Sequence, residues 1–201
     1  MCGRFETNVS LEALVEKLKE YYPDLFTELE NETNRKENIA PTNNILTLTH
    51  NNNKYKLTFM KWGIKFSEDS PLIFNSRIET IKSKKFWFNL FNKNRCLIPM
   101  TAFYEWKKEG SRKVPYRIFL KNEDMFFVPG LYIKPKESDE IQTSLITTTP
   151  NKFIKPIHHR MPVVFKFTEA LNYLTEDAEQ NLSKCIPFKE NDLMNMQKAA
   201  I

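Results

Sequence analysis

The chain has 201 residues, of which 41% are hydrophobic and 13% aromatic, including 16 Phe; this is enough to bury one substantial core and too apolar for a disordered chain. Only 4 Gly and 11 Pro exclude collagen-like and low-complexity structure. The net charge of +5 divides into −3 over residues 24–37 and +8 over the remainder, an excess that permits a phosphate-binding face without requiring one.

Elements follow in chain order. Ser10 precedes Leu11, Leu14, Val15 and Leu18, so residues 11 to about 22 read as a capped amphipathic helix closed by Pro23. A polar stretch runs to Asn38, then Ile39-Ala40-Pro41-Thr42 reads as an ordered loop. Residues 45–49 and 55–60 alternate about Asn51-Asn52-Asn53, a hairpin pattern. Further strands are expected at 72–74, 95–98, 103–106, 115–120, 125–133, 144–147 and 163–167. Helices are expected at 80–91 and 169–174, with one more in the last 25 residues. No run of 18 apolar residues and no apolar leader occurs, which gives no membrane association and an intracellular protein, cytoplasmic or nucleoid-associated if bacterial. With no internal repeat or linker, residues 1–201 read as a single α+β domain of packed antiparallel, barrel-like β-sheets with peripheral helices. Monomer is the default expectation.

Five features could carry chemistry. Cys2 directly follows Met1, and initiator Met is generally removed before a small residue. The exposed terminus would then hold an amine and a thiol on adjacent carbons, with ordinary pKa values near ~7.7–8.0 and ~8.5. Such a pair condenses with an aldehyde to an imine that sulfur closes into a five-membered thiazolidine; alternatively, position 2 is incidental. Cys2, Cys96 and Cys185 are an odd count with no C-x-x-C spacing, which suits free thiols rather than a disulfide or zinc framework. Asn75 and Arg77 lie between a strand and a helix, offering an amide and a guanidinium fork, or else a turn Asn and a surface Arg. Glu105 sits among aromatics in Phe103-Tyr104-Glu105-Trp106; desolvated, its pKa would rise into the range of a proton relay, whereas outward-facing it would be ordinary. His158 and His159 in an extended segment would face opposite sides, poor joint metal ligands but one of them a sensible acid–base group. Lys82, Lys84, Lys85, Lys93 and Arg95 accompany Phe86, Trp87, Phe88 and Phe91, which reads as an amphipathic helix with an aromatic core face or as a strand-binding surface.

Eight ordered blocks carry a resemblance. They are Met1-Cys2-Gly3-Arg4-Phe5, Asn38-Ile39-Ala40-Pro41-Thr42, Lys61-Trp62-Gly63-Ile64, Phe74-Asn75-Ser76-Arg77-Ile78-Glu79-Thr80, Arg95-Cys96-Leu97-Ile98-Pro99, Phe103-Tyr104-Glu105-Trp106, Pro129-Gly130-Leu131-Tyr132 and Ile157-His158-His159-Arg160-Met161-Pro162. Together they resemble the SRAP (SOS response-associated peptidase) family of abasic-site processing proteins, from residue 2 to about 167. Ala102, where relatives often carry Gly, and His159, where Asp or Glu is common, depart from that pattern.

The resemblance implies a DNA damage-response enzyme that forms a covalent protein–DNA thiazolidine at abasic sites in single-stranded DNA through Cys2, without metal or cofactor. Lyase activity would be a side reaction of the imine. Asn75 would hold the sugar, and Glu105 and His158 would move protons, His158 being chosen over His159 by its offset from Arg160-Met161-Pro162. Arg77 and Arg160, and more weakly Arg4, would contact phosphate. Asn38 and Trp62 would line the strand path, with Trp62 stacking on or wedging beside a base. Two rivals stand beside this reading: a cysteine peptidase (a thiol hydrolase) using Cys2, His158 and Glu105 to process its own terminus, and a non-covalent reader of single-stranded or modified DNA.

Overall fold

A computed structural model describes residues 2–27, 36–135, 138–170 and 172–201. The chain runs β1 (Arg4–Thr7), α1 (Leu11–Lys19), β2 (Phe26–Thr27), β3 (Lys36–Ile39), β4 (Asn44–Asn51), β5 (Lys54–Trp62) and β6 (Asn75–Arg77). Next come α2 (Ile78–Ser83), α3 (Lys85–Lys93), β7 (Arg95–Met100), β8 (Ala102–Glu109), β9 (Arg112–Leu120), β10 (Phe126–Ile133), β11 (Gln142–Thr148) and β12 (Met161–Pro162). The helices α4 (Phe167–Ala170) and α5 (Ala178–Lys184), a 3₁₀ turn (Asn191–Leu193) and β13 (Met194–Lys198) complete it. Among the described residues no helix is long and apolar enough to cross a membrane.

Two sheets organise these elements. The first has the order β13-β9-β8-β1-β3. In the second, β4 pairs with β5, β5 with β11, β11 with β10, β10 with β7, and β7 returns to β4, so five strands close into a ring. The expected α+β, barrel-like architecture is therefore present, and closure removes the bare edges that an open sheet would expose.

Strands of the ring bury both faces. Cys96, Ile98, Phe126, Val128 and Leu145 enter a core shared with Cys2, Phe5, Phe103 and Ile118 of the first sheet. Their neighbours Leu97, Phe127 and Ile146 enter a second core with Leu14 and Leu18 of α1 and Phe91 of α3. Alternation along each strand sends consecutive residues into different cores, so the sequence reads as unbroken apolar runs.

Local chemistry explains the elements that match expectation. The Ser10 side chain accepts from the Ala13 N–H at 3.2 Å and caps α1, which buries Leu11, Leu14 and Leu18. Asn52 and Asn53 both take positive φ (50° and 58°), the left-handed pair that a two-residue hairpin turn requires, and Asn51 pairs with Lys54 across it.

Other expectations fail. Residues 72–74 contribute only an isolated bridge, Ile64 to Ile73, and the strand begins at Asn75, where β11 offers a partner. The helix expected at 80–91 starts at Ile78 and breaks at Lys84, whose φ and ψ of −114° and 116° are extended. The strand expected at 163–167 reduces to a bridge between Phe127 and Phe165 before α4 starts at Phe167, and α4 ends at Ala170 rather than continuing to 174. The final segment holds the expected helix, α5, and also β13, which pairs with β9. Residues 28–35 of the polar stretch lie outside the described residues; its end, from Lys36 to Asn38, is in β3, which also takes Ile39 from the loop expected at 39–42.

Candidate active site

β11 gathers the site. Its C-terminal half pairs in parallel with β6, setting Leu145 against Asn75 and Thr147 against Arg77, and pairs antiparallel with β12, setting Thr148 against Met161. The segments carrying Asn75 and His158-His159-Arg160 thus flank one strand. From the first sheet, β1 lies against β8 with Arg4 opposite Tyr104 and Phe5 opposite Phe103. Continued by one residue, that register brings Gly3 to Glu105, and neighbouring Cys2 lies close enough for the Glu105 charge to act on its thiol.

Four of the expected site residues meet here. Cys2 is fully buried, and its Sγ donates to the Arg4 carbonyl at 3.6 Å. Asn75 Nδ2 donates to the Cys2 carbonyl at 2.8 Å, across 73 residues of sequence. Asn75 Oδ1 is buried without a hydrogen-bond partner among the described residues, so an acceptor stands open next to the cysteine. Glu105 is 2% exposed, since strand alternation puts it on the same face as buried Phe103. His158 Nδ1 lies 3.7 Å from Glu105 Oε1.

Burial sets the electrostatics. It raises the Glu105 carboxyl to about 7, so the outward-facing alternative does not hold. Burial, and next the Glu105 charge, pushes the Cys2 thiol far above its ordinary value, which keeps sulfur protonated at neutral pH. Burial likewise lowers the His158 pKa and favours a neutral ring. His158 Nδ1 lies 3.0 Å from the Arg160 N–H and 3.1 Å from the Arg160 carbonyl oxygen, so the Arg160 backbone holds the ring through that nitrogen.

The chain segment before Arg160 is not extended. Residues 152–157 turn, and β12 begins only at Met161, so the two imidazoles lie side by side, 4.3 Å between centroids. His158 turns to Glu105, while His159 is exposed.

A match to a family described as SOS response associated peptidase (SRAP) covers residues 1–199. The chain belongs to that family. It is 30% identical to the abasic site processing protein YoqW of Bacillus subtilis, over the whole of this chain and 93% of that protein. It is 27% identical to the abasic site processing protein YedK of Escherichia coli, over 93% of this chain and 88% of that one. A solved structure of a Bacteroides thetaiotaomicron protein shares the fold with a TM-score of 0.83, at 20% identity over 99% of this chain and 92% of that chain.

For the SRAP residues expected at nucleic acid, the structure separates the accessible from the committed. Arg77 is exposed, and its guanidinium has no hydrogen-bond or ion-pair partner among the described residues. Asn38 is exposed at the end of β3, and half-exposed Arg4 makes only a 3.4 Å contact to the Gly3 carbonyl. Trp62 is different: it is 0% exposed, its Nε1 donates to the Phe74 carbonyl at 2.8 Å, and its ring packs edge-on against Phe5 and Phe74. A side chain so enclosed has no face for a base, and the stacking role expected for it is corrected to a core role.

Arg160 is corrected too. It is 7% exposed and forms a two-pronged pair with Glu79, Nη1 to Oε1 at 2.8 Å and Nη2 to Oε2 at 3.0 Å, while Nη2 also reaches the Thr147 carbonyl at 2.8 Å. These bonds occupy the fork a phosphate would need, so Arg160 acts as a strut that fixes His158 through its own N–H. Glu79 was missed as its partner. The signal was an acid placed inside a segment otherwise suited to phosphate.

Proposed function

We propose that this chain processes abasic sites in single-stranded DNA by forming a covalent thiazolidine through Cys2. Removal of Met1 converts the Cys2 nitrogen from an amide to a free amine. The amine attacks the aldehyde carbon of the ring-opened sugar and one of its protons passes to the oxygen; that hydroxyl departs as water with a second proton from neutral Glu105, and the remaining amine proton returns to the Glu105 carboxylate, leaving an imine. The thiol then adds across the carbon–nitrogen double bond: sulfur bonds to carbon and its proton passes by way of Glu105 to nitrogen. Aldehyde and aminothiol become thiazolidine and water.

The single observation carrying this reading is the placement of Glu105, 2% exposed and close enough for its charge to act on the thiol of buried Cys2, where burial raises its pKa to about 7. Such a group is half protonated at neutral pH and serves both steps, as acid and then as base. A thiol held protonated favours attack by nitrogen first. The open Oδ1 of Asn75 supplies an acceptor for the amine or for a sugar hydroxyl. Closure to sulfur removes the imine, the electron sink that would otherwise promote strand cleavage, so elimination is confined to the intermediate. The names of the YoqW and YedK relatives support the substrate. We take residues 1–201 as one SRAP domain working as a monomer inside the cell.

The test is a denaturing gel of Met-processed protein with an oligonucleotide holding one abasic site. The expected result is a detergent-resistant band, absent with an undamaged strand, abolished by Cys2→Ala and blocked by an N-terminal tag. Hydrolysis of peptides in trans, retained in part by Cys2→Ser, would replace this reading with a peptidase. Complexes that fall apart in detergent would replace it with a non-covalent reader.

A further inference from the structure

Residues 66–86 leave one place and return to it. Asn75 and Arg77 sit at the middle of this stretch, and its ends meet as a cluster of rings. Phe66 and Phe86 have centroids 5.6 Å apart, and Trp87 lies 6.2 Å from the first and 5.5 Å from the second, all edge to face. Phe66 and Phe86 are 52% and 53% exposed, the two most exposed of the large hydrophobic side chains among the described residues.

Core formation does not account for this. In α3, Phe91 is buried and Trp87, Phe88 and Leu90 pack against the helix-side core, which satisfies the amphipathic pattern without Phe86. The loop holding Phe66 is also anchored. Ile64 and Ile73 exchange backbone hydrogen bonds at 3.0 and 2.9 Å, and Leu72 lies over Gly63, whose φ of 127° and whose lack of a Cβ both the backbone and that contact require.

Charge identifies the occupant. Lys82, Lys84 and Lys85 are exposed immediately before Phe86 and have no hydrogen-bond or ion-pair partner among the described residues. Lys65 precedes Phe66 and donates to the Glu68 carbonyl rather than to a carboxylate. Against these four stand Glu68 and Asp69, while Glu79 is committed to Arg160. Half-exposed rings beside unpaired cations suit a ligand with flat π-faces on an anionic backbone.

We propose that Phe66, Phe86 and Trp87 form a stacking platform for undamaged bases flanking the lesion, with Lys82, Lys84 and Lys85 along the strand's phosphates. This rests on the proposed engagement of single-stranded DNA at Asn75 and Arg77. Phe66 and Phe86 are each nine residues from that point, a distance that extended chain limits to about 30 Å. A single strand of about 10 nucleotides, at about 3.4 Å each, is long enough to span that separation.

The test is fluorescence anisotropy with an undamaged, labelled 20-nucleotide oligothymidine, comparing the wild type with Phe66→Ala/Phe86→Ala and with Lys82→Gln/Lys84→Gln/Lys85→Gln. The aromatic pair is expected to weaken binding by about 10-fold or more, and the lysine triple to reduce the slope of log affinity on log salt by about 2. Unchanged thermal melting shows that each variant folds, as the exposure of all five positions leads one to expect. The aromatic variant binding as tightly as wild type overturns the platform. So does a wild-type dimer in sedimentation that the same variant dissolves, since the cluster would then belong to a second copy of the chain. A wild type that never crosslinks overturns the covalent reading alone, and the anisotropy comparison still decides the platform.

Discussion

Glu6 and Glu105 stand on paired strands of one sheet, both buried, at 5% and 2% exposure, and they end in opposite states. Burial by itself would raise the Glu6 pKa, but hydrogen bonds from Arg117, Tyr104 and Thr101 outweigh it and hold the carboxyl below its ordinary value. Tyr104 Oη and Arg117 Nε bond Oε2 at 2.7 and 3.1 Å, and Thr101 Oγ1 bonds Oε1 at 2.9 Å. Glu105 faces the apolar core between the sheets, and burial takes it to about 7. Burial thus does not set the charge of a carboxyl; the supply of donors does. Glu6 is locked as an anion and holds strands together, whereas Glu105 is left able to change protonation state beside Cys2.

Activity should break this pair apart most visibly. Glu105→Gln is expected to slow crosslinking about 100-fold or more in a gel time course, in the range general acid–base catalysis supplies. Glu6→Gln should leave the rate within about 3-fold in folded protein yet lower the unfolding free energy by about 2–3 kcal/mol in urea melts, Arg117 being partly solvated. An equal rate loss in both variants would erase the distinction.

Stability against pH sharpens it. A carboxyl raised from 4.5 to about 7 supports folding below about pH 4.5 and loses that contribution as pH climbs to 7. Glu105→Gln should therefore be more stable than wild type at pH 8, by up to about 3 kcal/mol, and equal near pH 4. Glu6, with a lowered pKa, contributes above its unfolded value and loses that contribution as pH falls through the folded one. The difference between wild type and Glu6→Gln should accordingly shrink in acid, the opposite tilt.

The arginines and histidines give smaller contrasts of the same kind. Arg77→Ala should reduce the salt slope of single-strand binding by about 0.7 without moving the melting temperature. Arg160→Ala should lower the melting temperature and leave that slope unchanged. Smallest of all, His159→Ala should keep the crosslinking rate within about 2-fold, while His158→Ala reduces it clearly.

Where structure follows from neighbours in sequence, it was legible. The cap of α1, its apolar stripe and the Asn-rich hairpin depend on contacts a few residues apart. Cys2, Asn75, Glu105 and His158 stood out because their residue types sat in unusual company, and the fold brings all four together. Strands β1, β3 and β13 went unread: each is short, and their pairing partners lie far along the chain. The strand expected at 163–167 shows the reverse failure, because a buried apolar run looks alike as strand, turn or helix start.

The sequence alone determined which residues could react and how the apolar segments alternate, since covalent identity and periodicity are local properties. Which carboxyl stays charged, which arginine is spoken for and whether a tryptophan has an open face were decided only by tertiary structure. Glu6 meets Arg117 across 111 residues and Arg160 meets Glu79 across 81. Proton affinity and accessibility are set by the atoms nearby in space, and those neighbours exist only once the two sheets have packed.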